Sequence, residues 1–305
     1  MKQAPAGLWR VLAVLALAAP VPVGAAEVAV LKSSEVAAWR PAIDALRRVA
    51  GAHKVTEYDF RGDRAEGERV VSSFKGRPVI LVGMGPLATQ LVHDLLGDAQ
   101  LVYVMVQDPA KLGLTRANIT GVSYAIPVRN QFAAFRTVNP RGVRIGVIYN
   151  EDNSGRLVQE AQKAAGLVRL ALVARSIASD REIPQALRSL LSGEDAVDAL
   201  WMLPDPMIMA DESRRFLLTE TLKAGKPVYG FSAALVSEGA LVSNGPSFVS
   251  IGEQAGELVN RLASGEKGRI DPVVPQAELV INTKIAARLK LEIPASALSV
   301  ANKKY

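Results

Sequence analysis

The chain has 305 residues, of which 49% are hydrophobic and 22% charged, and a formal net charge of +6. These proportions are typical of a folded protein with one large or two medium-sized domains. The absence of cysteine excludes disulfide frameworks, thiol nucleophiles, thiolate metal sites and a lipid anchor on an N-terminal cysteine. Two histidines, His53 and His93, are too few for a zinc centre of several imidazoles, so we expect no metal site. Lysine and arginine form no block, so we expect no nucleic-acid partner.

The first 26 residues differ in character from the rest of the chain. Lys2 and Arg10 precede an apolar run over residues 11–19, and small residues follow at 24–26. This pattern predicts a signal peptide over residues 1–26 that is removed on export. The apolar run is too short for a permanent membrane helix, and no later stretch reaches the roughly 20 apolar residues that a span requires. We therefore expect a periplasmic protein without a stable membrane anchor.

From residue 27 onward, short β-branched runs alternate with segments of helical periodicity, which is typical of parallel α/β units. The runs predict strands over residues 28–31, 55–58, 79–82, 101–106, 143–149, 171–176, 199–203, 228–230 and 240–243. Residues 27–51 and 143–166 form an internal repeat, because each contains a strand, a polar loop with serine and an amphipathic helix in that order. The sequence therefore predicts an α/β fold of two similar lobes, each a doubly wound parallel sheet.

Parallel sheets bind ligands at the carboxyl ends of their strands, where helix N-termini present unpaired amides. Two facing lobes would form a cleft there, lined by loops at 32–34, 83–86, 150–154 and 204–206. The candidate ligand-binding residues are Ser33, Ser34, Gly85, Pro86, Asp108, Asn153, Ser154, Asp205 and Ser232.

The run from Gly83 to Ala88 formally matches the GxGxxA form of the dinucleotide-binding motif. However, it follows the third predicted strand rather than the first, and Pro86 is typical of the first residue of a helix. The better interpretation is a close-packed turn from strand to helix, and this turn could also contact a ligand. We expect no cofactor.

The polar candidates each have two interpretations. Asn153 and Ser154 could cap the following helix, or could also leave amides free for a ligand carboxylate, and the same choice applies to Ser33 and Ser34. The amides of Ser154 and Gly85 are the candidates for that carboxylate.

Asp108 and Asp205 each stand before a proline near a strand end, where a carboxylate could pair with a ligand ammonium group or could serve only as a turn or cap residue. No nucleophile elbow, P-loop or HExxH motif occurs in usable context. We therefore expect a protein that is not an enzyme.

Four stretches form motifs in a fixed order. They are Asp108-Pro109 with Gly113-Leu114 and residues 118–123 (NITGVS), residues 149–154 (YNEDNS), residues 227–232 (PVYGFS), and the C-terminal portion from residue 252 (GEQAG) to residue 294. Together they resemble the substrate-binding proteins of ABC transporters, a family similar to type I periplasmic binding proteins. The resemblance covers roughly residues 80–300. The first loop departs from it, because residues 32–35 read KSSE where the family usually has a His-Pro and a nearby acid.

The resemblance implies two lobes joined by a hinge that the chain crosses three times. It places residues 27–121 and 233–272 in the first lobe and residues 124–229 and 276–305 in the second. The hinges would lie near residues 121–123, 230–232 and 273–276.

The leading hypothesis is an exported solute-binding protein that captures a small organic solute, such as an amino acid or similar zwitterion, and delivers it to an ABC permease. The alternative is a ligand sensor or uptake accessory of the same fold that acts on a membrane receptor. A periplasmic enzyme is the least favoured hypothesis. For the solute-binding protein we expect a monomer.

Overall fold

The computed structural model describes residues 25–266 and 268–305. The predicted signal peptide lies outside these residues except for its last two. The strands are β1 (Glu27–Lys32), β2 (Lys54–Asp59), β3 (Val79–Met84), β4 (Gln100–Val104), β5 (Ile119–Gly121), β6 (Arg144–Asn150), β7 (Ala171–Ile177), β8 (Ala199–Trp201), β9 (Val228–Gly230), β10 (Val242–Pro246), β11 (Ala277–Ile281) and β12 (Lys303–Lys304). The α-helices are α1 (Arg40–Val49), α2 (Arg64–Ser72), α3 (Pro86–Leu95), α4 (Val128–Val138), α5 (Glu151–Leu167), α6 (Ile183–Leu191), α7 (Pro206–Met209), α8 (Asp211–Lys223), α9 (Ala233–Glu238), α10 (Phe248–Ala263), α11 (Thr283–Arg288) and α12 (Ala295–Val300).

The first lobe contains a parallel five-stranded sheet in the order β2-β1-β3-β4-β5. Both faces of its interior strand β1 are buried, because Val28 and Val30 pack against α1 and α10 while Ala29 and Leu31 pack against α2 and α3. A strand covered on both faces reads as a continuous apolar run, as β1 does.

The second lobe contains a seven-stranded sheet in the order β12-β11-β10-β9-β8-β6-β7. All of its neighbouring strands are parallel except β10 and β11. Helices again cover both faces, since Trp201 packs against α4 while Leu200 packs against α6 and α8. The prediction of two doubly wound α/β lobes is therefore confirmed. None of the helices in the described part of the chain is long and apolar enough to cross a membrane.

Every predicted strand corresponds to a strand of the structure, but the pattern missed β5, β11 and β12. β5 and β12 have three and two residues, too short to show a periodicity. β11 is the antiparallel strand of the second sheet, and its first residue is exposed.

The chain passes between the sheets at three places that lie side by side. Val122 bridges Val273, and the Ser123 amide donates to the Val273 carbonyl at 2.8 Å. The Ser247 amide donates to the Gln276 carbonyl at 2.9 Å. The first and second crossings are therefore each hydrogen-bonded to the third.

The second crossing lies at residues 246–248, which corrects the prediction of a hinge at 230–232 with residues 233–272 returning to the first lobe. Strand β10 pairs with β9 through Val242 and Tyr229 and with β11 on its other edge, so residues 233–246 belong to the second lobe. Only from α10 onward does this segment pack in the first lobe, against α1.

Helices α1 and α10 approach each other so closely that the contact requires glycine. A Cβ atom added at Gly252 would lie 2.0 Å from the carbonyl oxygen of Ala42, and one at Gly256 would lie 2.7 Å from the Cβ of Val49. Real Cβ atoms do not approach backbone oxygens to such distances. This contact holds α10 in the first lobe just after the second crossing.

We expect Gly252→Ala to lower the free energy of unfolding by about 1–3 kcal/mol, because the added methyl group forces the two helices apart. Alanine's better helix propensity, about 1 kcal/mol, opposes this only in part. Urea unfolding of the variant measures the change. The matched control is Gly166→Ala in α5, where an added Cβ meets no atom within 4 Å. An equal or higher stability for Gly252→Ala than for the control would contradict the prediction.

Candidate functional site

A cleft of about 1060 Å³ lies between the two lobes, at the carboxyl ends of both sheets. Its wall on the first lobe includes Trp39 and the loop after β4, and its wall on the second lobe includes the start of α5 and residues near the ends of β8 and β10. Tyr124 and Phe248, which directly follow two of the crossings, also line it.

Four of the nine candidate residues line this cleft. They are Asp108 from the first lobe and Asn153, Ser154 and Ser232 from the second. Ser232 is half-buried at the start of α9, where its side chain makes no capping hydrogen bond.

Ser33, Ser34, Gly85 and Pro86 are not among the residues that line the cleft. The Gly85 amide donates to the Val104 carbonyl at 2.9 Å, so it is not free for a ligand carboxylate, and that assignment is wrong. The Ser33 hydroxyl accepts a hydrogen bond from the Ala88 amide at 3.0 Å and so caps the first turn of α3. Ser33 lies directly after the neighbouring strand β1 and caps α3 from there.

Gly83 and Gly85 form a close-packed turn from β3 to α3, as the sequence predicts. A Cβ at Gly83 would lie 2.9 Å from the Cα of Thr89, and Gly85 has a φ of 88°. A Cβ at Gly85 would also come within 3.0 Å of the Trp39 ring. Glycine at this position therefore leaves room for Trp39, and the turn packs against the buried side of this cleft residue.

Asp205 is fully buried and does not line the cleft. Its carboxylate accepts hydrogen bonds from the backbone amides of Asn150 at 3.0 Å and Met207 at 2.9 Å. These bonds cap α7 and join the ends of β8 and β6. The prediction that Asp205 pairs with a ligand ammonium group is therefore wrong, and its role is structural.

Helix α5 begins at the wall of the cleft. The Asn150 side chain caps it by accepting from the Asn153 amide at 3.2 Å. Ser154 is the fourth residue of α5, so its own amide bonds within the helix. This amide is therefore not free for a ligand carboxylate, and the prediction that it binds one is wrong. The amides of Glu151 and Asp152 have no acceptor inside the helix, and both residues line the cleft.

The charged residues at the cleft come from both lobes. Their carboxylates belong to Asp108, Glu151, Asp152 and Glu278, and their cations to Lys111 and Arg156. Carboxylates outnumber cations, so the cleft favours a ligand that carries a positive group over a simple anion. The Arg156 guanidinium donates to the Asp108 carboxylate at 2.6 Å, and this ion pair joins the two walls.

Five aromatic residues line the cleft: Trp39, Tyr124, Trp201, Phe231 and Phe248. All except Trp201 are half-buried, so the fold leaves part of each ring uncovered. Tyr124 and Phe248 stack with their ring centroids 6.2 Å apart and their planes at 14°. Burial raises the pKa of Tyr124, which keeps its phenol neutral. The cleft thus offers rings against which a flat apolar group can stack.

Two buried polar atoms near these rings have no hydrogen-bond partner among the residues that the structure describes. The side-chain nitrogen of Gln131 donates to the Ile126 carbonyl at 2.8 Å, which leaves the Gln131 Oε1 atom without a donor. The indole nitrogen of Trp201 is also unpaired. Both side chains belong to the cleft wall, where a ligand or an ordered water would satisfy them.

A comparison with protein-family models matches residues 28–305 to the model described as ABC transporter substrate binding protein. The chain belongs to this family. The match spans both lobes and all three crossings, and the fold and family are those of substrate-binding proteins.

Similar proteins agree with this assignment. A curated relative from Clostridioides difficile (strain R20291), named tyrosine-binding protein, is 24% identical over 264 residues, which are 83% of this chain and 74% of the relative. Among solved structures, a ligand-free, open substrate-binding protein with adhesive properties from Clostridium difficile has a TM-score of 0.81 at 18% identity, covering 92% of this chain and 99% of the other. An ABC domain from Streptococcus pneumonia in complex with L-Trp has a TM-score of 0.69 at 22% identity, covering 92% of this chain and 100% of the other.

The cleft also contains Tyr124, Phe231, Phe248 and Arg156, which the sequence motifs did not identify as ligand-binding residues. Arg156 lies three residues after Asn153, so helical spacing alone places both on the same face of α5. Tyr124 directly follows the NITGVS motif, and Phe231 lies inside the PVYGFS motif. These signals were present in the sequence, whereas the approach of Trp39 to Gly85 follows only from the packing.

We expect Asp205→Ala to lower the free energy of unfolding by about 2–4 kcal/mol, because it removes a helix cap, empties a fully buried site and leaves the half-buried amide of Asn150 without an acceptor. Urea unfolding measures this loss. The control is Asp63→Ala, which removes only the exposed cap of α2 and should cost about 1 kcal/mol. If both variants lose the same stability, the structural role of Asp205 is not supported.

Proposed function

We propose that this protein is exported to the periplasm, captures an amino acid with an aromatic side chain between its lobes and delivers it to an ABC permease. The observation that carries the proposal is the cleft itself, in which half-buried rings lie beside charges of both signs. The family supports the delivery step, and the predicted signal peptide supports export.

The aromatic lining supports a ligand with a ring. The cleft contains five of the 16 aromatic residues in the whole chain, so aromatic surface is concentrated there in a protein poor in it. Large rings left partly uncovered are typical of ligand-binding surfaces. The names of two similar proteins, which mention tyrosine and L-Trp, point to the same chemical class.

The charges support a zwitterion. An α-amino acid carries one ammonium and one carboxylate group, and the cleft presents acids from both lobes as well as the guanidinium of Arg156. Of the two aspartates considered from the sequence, only Asp108 reaches the cleft, so it is the partner we assign to the ammonium group.

The size of the cleft supports an open state. Ligand pockets usually measure about 300–1,000 Å³, so the cleft of about 1060 Å³ is larger than a single amino acid requires. Binding would therefore draw the lobes together, and the three paired crossings are the place where such a motion would occur. The permease would recognise the closed form.

We expect the purified protein, residues 27–305, to bind L-tryptophan, L-tyrosine or L-phenylalanine with one site per chain. A ligand present at about 100 times its dissociation constant adds roughly 2.7 kcal/mol to the stability of the folded state, so thermal shift assays detect it and calorimetry gives the stoichiometry. L-Leucine, L-glutamate and glucose serve as comparison ligands. No shift with any of the three aromatic amino acids, whether or not a comparison ligand gives one, would overturn the proposal.

We expect Trp39→Ala to weaken binding of the aromatic ligand by about tenfold, because an aromatic pair is worth about 0.5–1.5 kcal/mol beyond its buried area. Trp39→Phe should keep most of the affinity. The control is Tyr58→Ala, which removes another half-buried ring of the first lobe that lies outside the cleft. Calorimetry on the three variants tests the role of Trp39, and an equal loss with the control would exclude a specific one.

A further inference from the structure

One ion pair connects the two walls of the cleft. The Arg156 guanidinium, in the first turns of α5 on the second lobe, donates at 2.6 Å to the Asp108 carboxylate, in the loop after β4 on the first lobe. Both side chains line the cleft. A ligand that enters the cleft therefore meets both members of this pair.

The two partners are held with different rigidity. The Asp108 side chain is only 23% exposed, and its second oxygen accepts from the Lys111 amide at 3.3 Å, which fixes the carboxylate in its turn. The Arg156 side chain is 79% exposed, and its contact with Asp108 is its one ion pair among the described residues. Arg156 can therefore swing away while Asp108 stays in place, and a pair so exposed to solvent is a weak one.

We propose that the ligand exchanges this ion pair: its ammonium group takes the place of Arg156 on Asp108, and its carboxylate takes the place of Asp108 on Arg156. This inference rests on the proposed function, since it requires an α-amino acid as the ligand. One contact between the lobes is replaced by two contacts through the ligand, one on each lobe. The free protein thus keeps both charges satisfied until the amino acid supplies its own pair.

The chemistry of the two groups supports the exchange. A guanidinium binds a carboxylate through two parallel hydrogen bonds, and a carboxylate accepts readily from an ammonium group. Lys111 is the other cation in the cleft, but it belongs to the same loop as Asp108 and would not connect the lobes. Arg156 alone offers a cation on the wall opposite Asp108 among the described cleft residues.

A simple latch is the competing explanation of the same ion pair. A latch would only stabilise the free protein, so its removal would leave ligand affinity unchanged or raise it for every ligand. Exchange makes a different prediction, because Arg156 would matter only for ligands that carry a carboxylate.

The test compares amino acids with the amines that lack the carboxyl group. Calorimetry measures binding of L-tyrosine, L-tryptophan, tyramine and tryptamine to the purified protein and to Arg156→Gln, Arg156→Lys and Asp108→Asn. The matched control is Arg215→Gln, since the Arg215 side chain is 73% exposed, pairs weakly with Asp211 and lies outside the cleft.

We expect Arg156→Gln to weaken amino acid binding by about tenfold or more while changing amine binding by less than about twofold. The amino acid affinity of Arg156→Lys should fall between those of the unmodified protein and Arg156→Gln. Asp108→Asn should weaken the binding of both ligand types, and Arg215→Gln should change the binding of neither. Equal effects of Arg156→Gln on amino acids and amines, or no loss of amino acid affinity, would overturn the exchange while leaving the proposed function intact. If the unmodified protein binds none of the aromatic amino acids, the proposed function and the exchange both fail.

Discussion

The hydrogen bonds among the three crossing segments determine where the cleft lies and what lines it. Val122 and Val273 pair as neighbouring strands do, and Ser247 bonds to the carbonyl of Gln276. The residues that directly follow two of these segments are Tyr124 and Phe248, whose rings stack in the cleft. The same backbone pairing that joins the lobes therefore positions these two aromatic rings in the cleft. Any motion of one lobe relative to the other must occur at these short segments, because each lobe is a sheet buried under helices on both faces.

Most of the fold could be predicted from the sequence because its strands are buried on both faces. Such strands read as apolar β-branched runs, of which β1 and β6 are examples, and the repeat of strand and helix identifies the two lobes. The lobe to which β10 belongs could not be predicted in this way. Its run of residues is compatible with either sheet, and only the pairing of Val242 with Tyr229 decides between them. Strand pairing at long range is a property of the whole fold rather than of the local sequence.

The same distinction separates the two aspartates of the candidate site. Asp108 and Asp205 each precede a proline near a strand end, so their local sequences predict the same two roles. They differ in what the distant chain brings to them. The Asp205 carboxylate is fully buried and accepts a hydrogen bond from the Asn150 amide, 55 residues away. The Asp108 carboxylate instead pairs with Arg156 across an open cleft. Burial with fixed amide donors makes one carboxylate structural, and contact with a solvent-exposed cation leaves the other able to change partners.

A ligand needs contacts with both the aromatic rings and the charged groups of the cleft to bind with useful affinity. An aromatic side chain buries roughly 150–250 Å², and at about 25 cal/mol per Å² this gives about 4–6 kcal/mol. A dissociation constant of 1 μM corresponds to about 8 kcal/mol, and binding also costs several kcal/mol of lost ligand freedom. Stacking on Trp39, Tyr124 and Phe248 therefore cannot hold a ligand by itself, and contacts with its charged groups must supply the remainder. Because Asp108 and Arg156, the partners proposed for the two charged groups of the ligand, lie on opposite lobes, a ligand gains both contacts only by touching both lobes, which would couple tight binding to closure.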